Sequence, residues 1–394
     1  MSNTTDKREG NIDRTTFRKR IALHRVRILS AVLFVVISLA VMFTVLYISE
    51  QNRVYTGYEV INTVEKSQVE YSRVLSYGSH FLTYSADGIH CTDAKGSDVW
   101  SFPFEMQSPM VEVCGNYVAV ADYNGRTIIV FDTQGEKGTI TTGAPIKDIC
   151  ISSTGVVAAI IDGGDVTPIN LYYYDGTDIA SFRTTMSKWG YPLTMGISDN
   201  GKLFMVSYLY LDNGMLTSKV AFYNFGEVGQ NESDNLVSGY DYQSELIPVA
   251  DFLDDETAYA VANDKLLFYE GRERPVNTSN ILLHDKVQSV YSGNNCVGLV
   301  YLNTTGESKY RMDVYSSSGK MECSLLFDME YEDVIFTQDN IVIYNAASLN
   351  VFSGNGRLKY AGDFSEPVSL MIPTESDNRY VLVLKDRIET IVLR

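Results

Sequence analysis

Residues 55–64 read YTGYEVINTV, a glycine followed by alternating apolar and polar positions. Alternation with period two is the pattern of a half-buried strand. Working outward, a related phrase recurs, an aromatic-containing strand closed by a polar turn and a glycine. It stands as HCTDAKG at Gly96, VFDTQG at Gly135, YYYDG at Gly176, FYNFG at Gly226, LFYEG at Gly271, VYSSSG at Gly319 and VFSGNG at Gly356. The spacings are 39, 41, 50, 45, 48 and 37 residues, and Gly57 stands 39 residues before Gly96, in phase with the others. Units of roughly 40–50 residues built from four short strands are the blades of a β-propeller, with glycine where a hairpin turn demands positive φ.

Each unit parses into four strands, a to d. In the second, Val111–Val113, Tyr117–Ala121, Arg126–Asp132 and Lys137–Thr142 take these places. Seven units are complete. The eighth runs from Pro367 through Tyr380–Leu384 to Arg387–Leu393 and supplies a, b and c only. Tyr58–Val64 therefore provides its strand d, so the ring closes by pairing the two chain ends and leaves no sheet edge exposed. The expected fold is all-β, an eight-bladed β-propeller over residues 57–394, with a seven-bladed ring as the alternative. No amphipathic helix is legible in this body.

Ahead of it, residues 28–48 read ILSAVLFVVISLAVMFTVLYI without a charge, long enough at about 1.5 Å per residue to cross a bilayer once. No small-residue cleavage site follows, so the segment reads as an uncleaved signal-anchor, a transmembrane helix, rather than a removable signal. Residues 1–27 hold eight basic and three acidic side chains, and the rest of the chain 24 and 46, giving +5 and −22. Arg18, Lys19, Arg20, Arg25 and Arg27 crowd the N-terminal flank, which orients the span with the basic tail of residues 1–27 cytoplasmic and the acidic body extracellular. Residues 49–56 form the linker. A body this acidic repels phosphate backbones, so nucleic acid is not an expected partner.

In a ring with strand a innermost, the d–a and b–c connections share one face and the a–b and c–d connections the other. The tether joins at Gly57, a c–d turn, so the c–d face is expected toward the membrane and the b–c face away from it. The b–c face carries the longer loops, Asp162–Pro168, Tyr210–Thr217 and Asn303–Ser308, and the run Lys188, Trp189, Gly190, Tyr191, Pro192. Aromatics on rigid loops are common anchors for partners. Trp189, Tyr191, Tyr210, Asp162 and Asp165 are accordingly the candidate partner-binding residues, although Trp189 and Tyr191 are equally suited to covering the gap between two blades.

The stretch DAKGSDVWSF (Asp93 to Phe102), with weaker echoes in FDTQGEKGTI and YYDGTDIASF, resembles the repeats of pyrroloquinoline-quinone-like propellers. These include quinoprotein dehydrogenases and an envelope lipoprotein that assists outer-membrane protein assembly. The whole arrangement of basic head, single anchor and eight irregular blades resembles the single-pass family of Gram-positive gut bacteria called domain of unknown function 5711. The resemblance implies the fold and no activity.

The chemistry sought in the chain is absent. A quinoprotein would need a calcium-binding carboxylate set, and many use a vicinal cysteine pair; there is no Cys-Cys, and no cofactor is expected. His24, His80, His90 and His284 lack metal-ligand spacing. No nucleophile elbow, phosphate loop or kinase set occurs. Asp254 with Asp255, Asp162 with Asp165 and Glu330 with Glu332 read as solvated turns. Cys91, Cys114, Cys150, Cys296 and Cys323 are an odd number, best suited to small thiols packed between sheets, with a Cys114–Cys150 bridge as the alternative. These features suit a membrane-tethered, non-catalytic binding or scaffolding module for a cell-envelope protein or glycan. One alternative is an envelope glycan-active enzyme, which clustered channel carboxylates with shifted ionisation would favour. Another is an extracytoplasmic sensor acting through a separate partner.

Overall fold

In the computed structural model, residues 58–65 lie antiparallel against residues 387–393, with Tyr58 opposite Leu393 and Glu65 opposite Arg387. One bulge, between Val60 and Asn62, bends this strand. Gly57 and Arg394 exchange backbone hydrogen bonds of 3.0 and 2.8 Å at its start. Behind it lie Arg387–Leu393, Arg379–Val383 and Leu370–Pro373, so the eighth sheet takes three strands from the end of the chain and one from its beginning. Seven further sheets each hold four consecutive antiparallel strands. The ring therefore has eight blades, and the seven-bladed alternative falls away. The structure describes residues 6–394 apart from 52, 67–71, 165, 186–188, 305 and 307.

The apolar side chains gather in eight clusters, one between each adjacent pair of blades. Strand b is buried from both sides, which is why Val157–Ile161, Thr257–Val261 and Asn340–Tyr344 are buried throughout and show no alternation. The closing cluster between blades 8 and 1 is small: Phe81, Leu370, Ile372, Val381, Val383 and Ile388. Lys66 reinforces it, its ammonium 5.7 Å from the Phe81 ring and 3.3 Å from the Leu384 carbonyl. Tyr55, just before the first strand, is buried in the cluster between blades 7 and 8.

The chain before the ring is a single helix, Asp6–Gln51, whose apolar window His24–Val45 has a mean hydropathy of 2.8 and is long enough to cross a membrane. Hydropathy marks the apolar part at residues 28–48, but the helix starts earlier. Its polar flank holds no proline, and the Arg and Lys residues at 18–20 are good helix formers, so the same backbone continues through it. Residues 1–5, part of the expected tail, lie outside the described residues.

Candidate functional site

Blade 4 departs most from its neighbours. Its strands b and c, Leu203–Asp212 and Met215–Asn224, are ten residues each. They pair beyond Leu209, the last partner of strand a, through Tyr210 with Thr217, and beyond Thr217, the last partner of strand d, through Leu211 with Leu216 and Asp212 with Met215. Asn213 and Gly214, both at positive φ (49° and 80°), make the two-residue turn that matches strand twist. The run expected as a loop at Tyr210–Thr217 is thus a rigid hairpin. The Asn213-Gly214 pair is the local signal for it. Its tip is apolar and open: Leu211 is 71% exposed, and Met215 and Leu216 are also exposed.

Two lysine-centred clusters lie on this b–c face. Lys219 sits 5.3 Å from the Trp189 ring and 5.9 Å from the Tyr210 ring, and pairs with Asp241 at 3.2 Å. The Tyr210 hydroxyl donates to Asp241 at 3.0 Å, and burial, then that carboxylate, pushes the phenol up to about 12. Trp189 is half-buried against Tyr208 (5.9 Å between rings) in the cluster between blades 3 and 4. Tyr191 begins strand a opposite Leu209 and is 44% exposed. In the second cluster Lys147 donates to Asn124 at 2.7 Å, pairs with Asp162 at 3.1 Å and lies 5.3 Å from the Tyr123 ring. The Gly164 amide donates to Asp162, and this bond together with Lys147 holds its carboxyl below the usual range. Asp165 and Lys188 lie outside the described residues.

The channel holds groups that the sequence reading did not single out. Glu112 and Asp148, on strand a of blades 2 and 3, stand two residues before Cys114 and Cys150, and Asp251 lies on strand a of blade 5. Burial raises all three carboxyls. Glu112 rises to about 7, helped by Asp148 and Asp251, and Asp251 to about 6 although its side chain opens to the channel. The available signal was the acid two places before each of the two equivalent cysteines. Cys114 donates to Asp199 at 3.6 Å, and burial followed by that carboxylate pushes the thiol up to about 12, far from a reactive thiolate. All five cysteines are free thiols. Among the described residues no three His, Cys, Asp or Glu side chains are arranged to hold a metal ion. Asp254 caps the amides of Glu256 and Thr257, and Asp255 accepts from Asn200 of the neighbouring blade, so that pair serves turns.

Two clefts flank blade 5. On the c–d face a polar cleft of about 690 Å³ opens between blades 4 and 5, lined by residues including Lys202, Glu227, Asp255 and Arg272. On the b–c face an apolar groove of about 560 Å³ opens between blades 5 and 6, lined by residues including Leu246, Val249, Val261 and Val287.

A sequence-family match spans residues 51–393, nearly the whole ring. The chain belongs to the DUF5711 family, a family of unknown function. No curated protein matches it. Among solved structures the DUF5711 chain is similar to BamB from Moraxella catarrhalis, at 10% identity and a TM-score of 0.50, over 86% of this chain and all of that one. It is also similar to Hsv2 of Kluyveromyces lactis, at 10% identity and a TM-score of 0.46, over 84% and 99% of the two chains. At such identities the first likeness shows the propeller fold alone.

Proposed function

We propose that this DUF5711 protein is a single-pass, membrane-tethered binding module whose ring lies outside the cell and docks a cell-envelope protein or glycan on its b–c face. The observation that carries this is the blade-4 hairpin. It lifts Leu211, Met215 and Leu216 clear of the adjoining strands, beside Tyr191 and the two aromatic–lysine clusters. Apolar side chains on a rigid projection seldom stay uncovered in a working protein. The chain enters the ring on the c–d face, at Tyr55 to Gly57; the hairpin is on the other face of the ring. The fold of BamB fits such a role only by likeness of architecture. The test places a photo-crosslinking residue at Leu211, with Lys320 on the c–d face as control, in native membranes. Adducts at position 211 that disappear with Trp189→Ala plus Tyr191→Ala support the reading; equal labelling at both positions removes it. A phosphatase fused after Arg394 should be active if the ring lies outside.

One observation favours a second reading, an envelope glycan-active enzyme: the channel carboxyls Glu112 and Asp251 ionise near neutrality, where general acids and bases work. Turnover of peptidoglycan fragments that Glu112→Gln abolishes would support it.

A further inference from the structure

We infer that the apolar groove between blades 5 and 6 receives a short extended segment of a partner protein carrying aliphatic side chains and a carboxylate, an assignment that rests on the binding function proposed above. Its walls are Pro248 and Val249 at strand a of blade 5, Val261 at the end of strand b, and Val287 and Val290 on strand a of blade 6. Leu246 stands at its mouth, 39% exposed. The volume of about 560 Å³ falls in the range of pockets that hold peptide side chains or small ligands.

The groove is held open before anything binds. The Leu246 amide donates to Asn263 Oδ1 at 2.9 Å. The Ser218 hydroxyl donates to the Glu245 carbonyl at 2.9 Å and accepts from the Ile247 amide at 3.2 Å. Lys265 pairs with buried Glu245 and with Asp264, fastening this d–a link to the b–c turn of blade 5. A rigid site loses little conformational freedom on association.

The apolar surface continues beyond the groove. The Ser244 amide donates to the Leu216 carbonyl at 2.7 Å, so the link bearing Leu246 hangs from the blade-4 hairpin. Leu216 shares a sheet face with Val220 and Phe222, which pack toward blade 5, and Leu211 lies directly opposite it. Leu211, Leu216 and Leu246 thus lie on the blade-5 side, and a segment leaving the groove meets them next.

Charge selects among apolar segments. Among the described residues Lys286 is the one charged residue lining the groove; it is exposed and has no ion pair among them. Neighbouring Asp285 is taken by Arg311 at 2.8 Å. In a body of net −22, an unpaired ammonium beside an apolar groove favours a carboxylate on the incoming segment. Gln288 is skipped in the ladder between Val287 and Ser289, a bulge that bends strand a along the wall of the groove.

The test uses the full chain in nanodiscs of phosphatidylcholine, because detergent would fill the groove. A phage-displayed random heptapeptide library is selected against it and against Lys286→Glu, and the enriched peptides are measured by fluorescence polarisation. Expected are peptides with an acidic residue between aliphatic ones, binding at least tenfold more weakly to Leu246→Asp and to Lys286→Glu, whose own selection turns to Lys or Arg. Trp189→Ala plus Tyr191→Ala should leave this binding unchanged, and thermal melts should show each variant folded. Enrichment without acidic residues, the same peptides from both selections, or competition by a muropeptide in place of a peptide overturns the inference. So does self-association that Leu246→Asp abolishes, which would make a second copy the occupant. Loss of peptide binding with the Leu211 crosslinks intact removes the groove and leaves the docking function; loss of both removes both.

Discussion

Blades 1 and 7 sit against their predecessors through a glycine, whereas blade 5 sits against blade 4 through hydroxyls, an ion pair and tyrosine rings. Gly96, in the c–d turn of blade 1 at φ 80°, approaches strand d of blade 8 so closely that a Cβ there would lie 2.7 Å from Val64 Cγ1. Gly356, at φ 83°, does the same toward Cys323 of blade 6, at 3.1 Å. The glycines in phase at blades 4 and 5, Gly226 and Gly271, meet only atoms of their own blade. There Ser238 and Tyr240 donate to the Pro275 carbonyl at 2.8 and 3.0 Å, Asn224 donates to the Glu273 carbonyl at 2.9 Å, and Arg274 pairs with Glu232. The Tyr242 and Tyr269 hydroxyls lie 2.7 Å apart. The glycine-to-glycine spacings that flank these two blades are the longest, 50, 45 and 48 residues, and the long hairpin, the polar cleft and one wall of the apolar groove lie there too. The repeat holds the ring together; its interruption is where exposed surface has been built.

The largest effect belongs to the glycine joints. Gly96→Val forces a β-branched residue to positive φ and into Val64, at the junction with the small closing cluster, and should cost about 3–4 kcal/mol in thermal or denaturant unfolding. Gly226→Ala should cost less than about 1 kcal/mol, because neither a positive φ nor a neighbouring blade opposes it. Equal losses would erase the distinction.

Next comes Lys265→Met, which leaves buried Glu245 without its cation. With Lys265 itself about a third exposed, the expected loss is about 2 kcal/mol, below that of a fully buried pair. Restoration by the double variant with Glu245→Gln would identify the unpaired charge as the cause. Tyr242→Phe removes one hydroxyl from the tyrosine joint and should cost about 1 kcal/mol, read from the same unfolding curves.

The smallest effect is Glu112→Gln. The folded ring raises this carboxyl from its ordinary 4.5 to about 7, so protonated Glu112 favours the fold and stability falls as pH rises across that window. The glutamine variant should match the parent near pH 4 and exceed it at pH 8, by about 1 kcal/mol or less because channel water screens the site. A constant difference across pH would show that the carboxyl is not titrating in the fold.

The number of blades and their closure were legible because a turn glycine recurs in phase from Gly57 to Gly356, and at every position but Gly57 and Gly226 it takes the positive φ that favours glycine. Strand limits followed closely: residues 117–121 were read where Tyr117–Asp122 pairs, and Arg387–Leu393 coincides. The hairpin tip was missed because exposed Leu211, Met215 and Leu216 do not alternate with burial, so length rather than Asn-Gly suggested a loop. The channel carboxyls were hidden because the ring brings Glu112, Asp148 and Asp251 together across more than a hundred residues of sequence. The groove was hidden for the same reason, since its walls Val249 and Val287 lie on strands of two different blades.

Closure of the ring depends on residues 58–65 completing the eighth sheet. Hydrogen exchange followed by mass spectrometry on the full chain tests this directly. Peptides covering 58–65 and 387–393 should resist exchange together and open only with the ring as a whole; rapid exchange of 58–65 while 387–393 and the other blades stay protected would contradict it.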